Sequence, residues 1–107
     1  MSVFLLLFAC GTAQPTQVCA DLASSEAQDT CRHNALIALA PTQAEQALTL
    51  AAAITDPIIR GAGIIHWVEI HKSAIDEATG FGLCALLPMN TERSACERRF
   101  SAAHLQR

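Results

Sequence analysis

The chain has no tyrosine and few other aromatic side chains, with one tryptophan and four phenylalanines among 107 residues. Phe4 and Phe8 lie in an apolar N-terminal run, so Trp67, Phe81 and Phe100 are the aromatic anchors of the remainder. Three scattered rings do not form the stacking platform on which single-stranded nucleic acid binds. A formal net charge of -3 also gives no general attraction to nucleic acid. We therefore predict a protein that does not bind nucleic acid.

The sequence also lacks the short motifs that carry familiar chemistry. It has no Gly-x-Ser-x-Gly elbow, no phosphate-binding loop, no Cys-x-x-Cys redox pair and no haem attachment sequence. His66 and Glu69 share a helix face, but His66 and His71 lie about 140° apart around a helix, which does not suit a metal pair. The prediction is a non-catalytic protein without a cofactor or metal. The alternative is a small hydrolase or metal-binding protein that uses His66, Glu69 and His71.

The apolar N-terminal run, residues 3–9, is too short to cross a bilayer, since a spanning helix needs about 20 residues. A run of this length suits the apolar region of a secretory signal. We therefore interpret residues 1–9 as a targeting segment. The alternative is a buried helix or strand at the start of a cytosolic helical protein whose cysteines are reduced.

The end of the run, Leu7-Phe8-Ala9-Cys10, resembles the lipobox of bacterial lipoproteins, with a leucine three positions before a cysteine and a small residue directly before it. The resemblance implies that residues 1–9 are removed as a signal peptide. It also implies that Cys10 becomes the N-terminus and carries a diacylglyceryl thioether and usually an N-acyl chain. Residues 10–18 would then form a lipidated tether, and residues 19–107 a folded domain facing the periplasm or the exterior.

The four cysteines other than Cys10 form two boxes of equal spacing, Cys19 with Cys31 and Cys84 with Cys96. Structural zinc sites normally use cysteine pairs separated by two to four residues, so two disulfides are favoured over zinc ligands or free thiols. In each box we expect the first cysteine in an extended segment and the second inside the next helix. That arrangement favours the two local pairs over the nested alternative, Cys19 with Cys96 and Cys31 with Cys84.

The helical spacing of apolar residues predicts an all-α domain, a small bundle or short solenoid-like array of four to five helices stapled by the two disulfides. The first helix is predicted to begin at a capping box in residues 25–28 and to end before Pro41. A second box in residues 42–45 begins the next helix. The first helix is expected to bury Ala27, Cys31, Ala35 and Ala38, with Leu36 and Leu39 beside them. The second is expected to bury Ala44, Ala47, Leu48, Ala51 and Ile54.

The segment that begins at Pro57 is predicted to be the central and most buried helix, because it is apolar on most of its circumference. Asp56 stands where an N-cap residue precedes a proline at the first helical position. Gly61 and Gly63 are costly inside a helix and therefore indicate the close approach of another helix. A strand over residues 64–70 is the alternative, because this stretch is rich in β-branched side chains.

Residues 47–69 contain the pattern Ala-Leu-x-Leu-Ala-x-x-Ile-x-Asp-Pro-x-x-Arg-x-Ala. This pattern resembles one helix-turn-helix unit of the α-solenoid families, the tetratricopeptide and HEAT repeats. The resemblance implies a helical hairpin with Asp56 and Arg60 around the turn between its two helices.

Beyond the central helix, residues 73–82 are predicted to continue that helix or to start another helical turn, with Gly80 as the C-terminal stop. The final helix should begin at Asn90 or Thr91 and reach Leu105. Four of the seven basic residues lie in this last stretch. They are interpreted as a solvated helix face, or alternatively as a contact with lipid head groups or an acidic partner; they are Arg93, Arg98, Arg99 and Arg107.

These patterns together predict a lipoprotein that is anchored in a bacterial cell envelope and binds another envelope protein as a non-catalytic accessory module.

A mass measurement tests the covalent part of this prediction. In a bacterial host with an intact export pathway, the chain should lose residues 1–9 and gain a mass of lipid size. Reduction should then add about four hydrogens, two for each disulfide. An unprocessed chain whose mass does not change on reduction would contradict both expectations.

Overall fold

Helices account for nearly all of the described chain. The computed structural model describes residues 15–105, and the side chains of residues 18–102 within them. Six α-helices follow in order, with a short 3-10 turn at Pro41–Gln43 between the second and the third: α1 Pro15–Ala20, α2 Ser25–Ile37, α3 Ala44–Ala53, α4 Pro57–His71, α5 Glu77–Cys84 and α6 Asn90–Leu105. Residues 15–105 contain no strand. The all-α prediction is confirmed, whereas a strand over residues 64–70 is wrong.

Residues 15–105 contain six helices, whereas four to five are predicted, and helix α1 is the additional one. Residues 10–18 are predicted as a tether, but α1 already begins at Pro15, because proline suits the first position of a helix. Cys19 therefore lies in a helix and not in an extended segment. It is buried and bonded to Cys31 of α2, with 5.4 Å between the two Cα atoms. Residues 10–14 lie outside the described residues.

The second disulfide joins the last two helices. Cys84 is the final residue of α5 and Cys96 lies inside α6, with 5.6 Å between their Cα atoms. The extended segment expected around Cys84 is thus also helical. The local pairing of the cysteines is confirmed, and the nested pairing is wrong.

The start of α2 differs by one residue from the predicted capping box. Ser24 is the N-cap, and its hydroxyl accepts a hydrogen bond from the Ala27 amide at 3.1 Å. Gln28 does not reach back to the cap; its side-chain amide donates to the carbonyls of Ala20 and Leu22. Gln28 therefore ties the start of α2 to the end of α1.

The buried face of α2 also differs from the predicted stripe of small residues. Ala27 and Ala38 are exposed, and Cys31 is half-buried. Leu36 and Leu39, predicted beside that stripe, are buried, whereas the burial of Asp29 is not predicted. Leucine removes more apolar area from water than alanine does, so the helix turns Leu36 toward the core.

The second predicted capping box is also displaced. Thr42 does not cap α3; the Gln43 side chain accepts a hydrogen bond from the Ala40 amide at 3.0 Å, and the 3-10 turn precedes the α-helix. The predicted buried stripe of this helix is largely confirmed. Its buried members are Ala47, Ala51 and Ile54, joined by Leu50.

The core is centred on Trp67 of α4. Its ring is fully buried, and its indole nitrogen donates a hydrogen bond of 3.0 Å to the Leu39 carbonyl, just beyond the end of α2. The hydrogen bond satisfies the polar atom of a large side chain that is otherwise surrounded by apolar groups. Other fully buried side chains of the core are Leu36, Leu50, Ile64, Leu83, Leu87 and Phe100.

Two glycines mark close helix contacts. A Cβ atom at Gly63 would lie 3.0 Å from Leu36 and 3.1 Å from His33, which confirms the predicted close approach of another helix and identifies it as α2. At Gly61 the prediction is wrong, because a Cβ atom there would lie an ordinary 3.8 Å from Leu87 and Pro88, which follow α5. Gly80, predicted to end a helix, instead lies inside α5. A Cβ atom there would lie 2.5 Å from the Phe100 ring, so Gly80 provides the clearance that lets α6 pack against α5.

The substitutions Gly80→Ala and Gly82→Ala should have opposite effects on stability. Both substitutions replace a glycine within α5 by alanine, and this change stabilises a helix by about 1 kcal/mol. At Gly80 the added methyl overlaps Phe100, and overpacking of this kind costs about 1 to 3 kcal/mol. At Gly82 the nearest side-chain atom, on Leu48, lies at an ordinary 3.5 Å. Denaturant unfolding with the disulfides intact should show Gly80→Ala as the less stable variant, and equal stabilities would contradict the steric role of Gly80.

Candidate binding surface

A buried carboxylate on α2 fixes the turn between α3 and α4. Asp29 is only 2% exposed. One of its oxygens accepts a hydrogen bond from the Thr55 amide at 3.0 Å, and the other accepts from the Thr55 hydroxyl at 2.7 Å and the Asp56 amide at 3.0 Å. Arg32 lies 3.6 Å from the same carboxylate. The turn is thus held by α2, a neighbour distant in sequence.

Two arginines satisfy the carbonyl groups that α3 leaves free at its end. Arg32 donates to the Ala53 carbonyl at 3.2 Å, and Arg60 donates twice to the Ile54 carbonyl, at 3.0 and 2.7 Å. Asp56 then caps α4 by accepting from the Ile58 amide at 2.8 Å. Asp56 therefore ends the turn, Arg60 reaches back to it from the first turn of α4, and the start of α4 is fixed in position.

The environment of Asp29 favours its charged form. Burial raises the pKa of this carboxyl, but the hydrogen bonds from Thr55 and Asp56 and the nearby charge of Arg32 lower it. The pKa of Asp29 lies below its ordinary value as a net result. The ionised carboxylate is therefore part of the folded structure at neutral pH.

Helix α4 buries only one of its faces, although the sequence predicts it to be the most buried helix. Ile64, Trp67 and Val68 face the core. On the opposite side Ile58 is 81% exposed and Ile70 is 58% exposed. Ala62 and His66, which are also exposed, lie between these two isoleucines at intervals of four residues. We refer to Ile58, Ala62, His66 and Ile70 as the α4 ridge.

A shallow groove of about 470 Å³ lies beside the first half of the ridge, between α4 and the connection from α5 to α6. Its lining is mostly apolar and includes Ile58, Ala62, Ile65, Pro88 and Met89. Met89 is 57% exposed, and Glu92 supplies a carboxylate at the edge. The groove and the first half of the ridge together form one mostly apolar surface, and the exposed His66 separates it from Ile70 at the far end of the ridge.

Charged side chains of both signs lie at each end of this surface. Near the start of α4 lie Asp56 and Glu92, together with Arg60, which donates to the Ile54 carbonyl, and Arg93, which donates to the Leu87 carbonyl. Near the end of α4, Glu69 pairs with Lys72 at 3.2 Å and Arg99 at 3.4 Å. The apolar surface is therefore bordered by mixed charge at both ends.

The residues considered for catalysis or metal binding have separate surroundings. His66 is exposed on the ridge, Glu69 is ion-paired with two cations, and the half-buried His71 ring lies 4.9 Å from the Trp67 ring. Among the residues that the structure describes, no group of three or more His, Cys, Asp or Glu side chains could hold a metal ion. Among the described residues, His66, Glu69 and His71 therefore do not form a metal-binding group.

The basic residues of the last helix do not form one patch. Arg93 donates to the Leu87 carbonyl at 3.0 Å and to the Asn90 side chain, and Arg99 pairs with Glu69. Arg98 is exposed, and Arg107 lies outside the described residues. Two of the four guanidinium groups thus have partners within the chain.

The lipobox and Cys10 also lie outside the described residues, so lipidation stays a prediction. Over residues 15–105, no helix combines the length and the apolar character needed to cross a membrane. Comparison of the chain with protein-family models, curated proteins and solved structures finds no match in any of the three. The role of the surface on α4 therefore has to be inferred from its geometry alone.

Replacing Asp29 with asparagine should destabilise the protein at neutral pH. It should also make the unfolding free energy vary less as the pH falls into the acid range. The substitution removes an ionised acceptor from buried donors, at a cost of about 2 kcal/mol. Because folding lowers the pKa of Asp29, its contribution is complete above the ordinary carboxyl pKa of about 3.9 and is lost as the pH falls through the lower folded value.

Urea unfolding of the original chain and of Asp29→Asn, from neutral pH to below about pH 4, measures this effect. The difference in unfolding free energy should be largest at neutral pH and should narrow in acid. The matched control is Asp21→Asn, because Asp21 is exposed. A difference that stays constant with pH would contradict the role assigned to the ionised carboxylate.

Proposed function

We propose that the chain is a membrane-anchored lipoprotein that acts as a non-catalytic binding module for another protein of the cell envelope. The observation that carries this proposal is the apolar groove beside α4, where Ile58 and Met89 lie together and are both more than half exposed. Large exposed apolar side chains that cluster together are typical of protein interaction sites. The same helix buries its other face in the core, so the surface is held on a rigid element.

The two disulfides support a location outside the cytosol. Disulfides persist in oxidising compartments such as the periplasm and the cell exterior, whereas cytosolic thiols are kept reduced. Cys19, Cys84 and Cys96 are buried in the folded domain. Both crosslinks also limit the motion of helices around the binding surface. The two disulfides and the lipobox resemblance thus favour the same compartment.

The position of α1 limits how far the domain can lie from a membrane. The folded part begins at Pro15, so only residues 11–14 separate it from Cys10. However these residues are arranged, they cannot extend by more than about 18 Å. A lipid on Cys10 would therefore hold the domain close to the bilayer surface. We accordingly expect the partner to be a membrane protein or another anchored envelope protein.

Site-specific crosslinking in intact cells tests this function. A photoreactive amino acid placed at Ile58 or Met89 should capture an envelope protein, because both side chains project from the proposed surface. The same amino acid at Ala52, which is exposed on α3, serves as the matched control. Capture from the two surface positions and not from the control is the expected result. Equal capture from all three positions, or none, would contradict the proposal.

A further inference from the structure

The two disulfides lie in different surroundings. Cys84 and Cys96 are 0% and 5% exposed, and both belong to the apolar cluster that forms the core. Cys19 is buried but is not among the described residues of that cluster. Its partner Cys31 is half-buried and lines a depression on the surface of α2. The first disulfide therefore lies at the surface of the domain, and the second lies inside it.

Helix α1 depends on the first disulfide for its attachment. Of its side chains that the structure describes, those of residues 18–20, only Cys19 is buried. Gln28 adds two hydrogen bonds, to the carbonyls of Ala20 and Leu22, and both lie in exposed positions. A helix of six residues is too short to be stable in water by itself. Without the bond to Cys31, α1 is therefore weakly held.

We propose that the disulfide between Cys19 and Cys31 is a redox switch that a dithiol reductant opens, releasing α1 while the core disulfide stays intact. A thiolate of the reductant attacks the sulfur of Cys31, because Cys19 is buried, and the Cys19 thiolate leaves. The second thiol of the reductant then displaces Cys31 from the mixed disulfide. Two electrons and two protons pass to the cysteines, which become thiols, and the reductant becomes a disulfide.

The second disulfide resists the same reductant because it lies inside the core. Its cysteines join α5 to α6, two helices that pack so closely that the Phe100 ring fills the space beside Gly80. A thiolate reaches Cys84 or Cys96 only after these helices separate. Separation of packed core helices requires more free energy than the release of a short peripheral helix. One reductant therefore opens the two bonds in a fixed order.

Release of α1 changes the reach of a lipid-anchored chain, and this consequence rests on the proposed function. With α1 in place, residues 11–14 allow a separation of at most about 18 Å between Cys10 and the domain. With α1 released, the folded part begins at α2, and residues 11–24 allow about 54 Å. Oxidation thus holds the domain against the bilayer, and reduction lets it reach a partner farther away.

Graded reduction of the full chain tests which bond opens. The oxidised protein is treated with increasing concentrations of dithiothreitol without denaturant, alkylated, and mapped by peptide mass. Alkylation of Cys19 and Cys31 should be complete while Cys84 and Cys96 still form a disulfide. If both bonds open together, or if the core disulfide opens first, the switch is wrong.

Hydrogen exchange tests the release of α1. After mild reduction the amides of residues 15–24 should lose their protection, whereas those of α2 to α6 should keep it. The double variant Cys19→Ala with Cys31→Ala should give the same pattern without reductant. In the matched variant, Cys84→Ala with Cys96→Ala, α5 and α6 should lose protection while α1 keeps it. Protection of α1 that survives both reduction and removal of its disulfide would contradict the release.

Energy transfer from Trp67, the single tryptophan, tests the change in reach. The protein from an export-competent host is placed on vesicles of phosphatidylethanolamine and phosphatidylglycerol that contain a dansyl-labelled lipid. Transfer to the dansyl group should fall on reduction, and unchanged transfer would overturn the longer reach. A chain that carries no lipid and shows no transfer even when oxidised would overturn the anchor of the proposed function. The alkylation and exchange results would then still decide the switch.

Discussion

The interaction on which the rest of the fold depends is the contact between the Asp29 carboxylate and the turn that begins α4. Its oxygens accept hydrogen bonds from the backbone of Thr55 and Asp56, so a side chain of α2 determines where α3 ends and α4 starts. A neutral side chain of similar size would leave buried donors unpaired. The direction of α4 follows from this contact, and with it the direction in which the exposed ridge faces.

Features governed by nearby residues could be predicted from the sequence. The equal spacing of the cysteines indicated two local disulfides, because a chain segment of that length readily brings the Cα atoms to bonding distance. Asp56 followed by Pro57 placed the start of α4 correctly, since capping depends on the immediately adjacent backbone. Likewise, Gly63 marked a close approach between helices, which the contact with α2 confirms.

Features that depend on distant partners could not be predicted in the same way. Glycine is common at the end of a helix. Only the position of Phe100 shows that Gly80 lies within α5 and leaves space for that ring. The burial of Asp29 depends on donors 26 and 27 residues away. Helix α4 is apolar around most of its circumference, which by itself indicates complete burial. Among residues 15–105 no other helix covers the face that carries Ile58 and Ile70, and this face became the candidate site.

The disulfide between Cys19 and Cys31 joins α1 to α2 by a covalent bond. The six-residue helix α1 is therefore held to the domain by more than its noncovalent contacts. From α2, the Asp29 carboxylate reaches the start of α4 through its hydrogen bonds with Thr55 and Asp56. A force applied to α1 would thus reach the helix that carries the exposed apolar face through one covalent bond and one hydrogen-bonded contact.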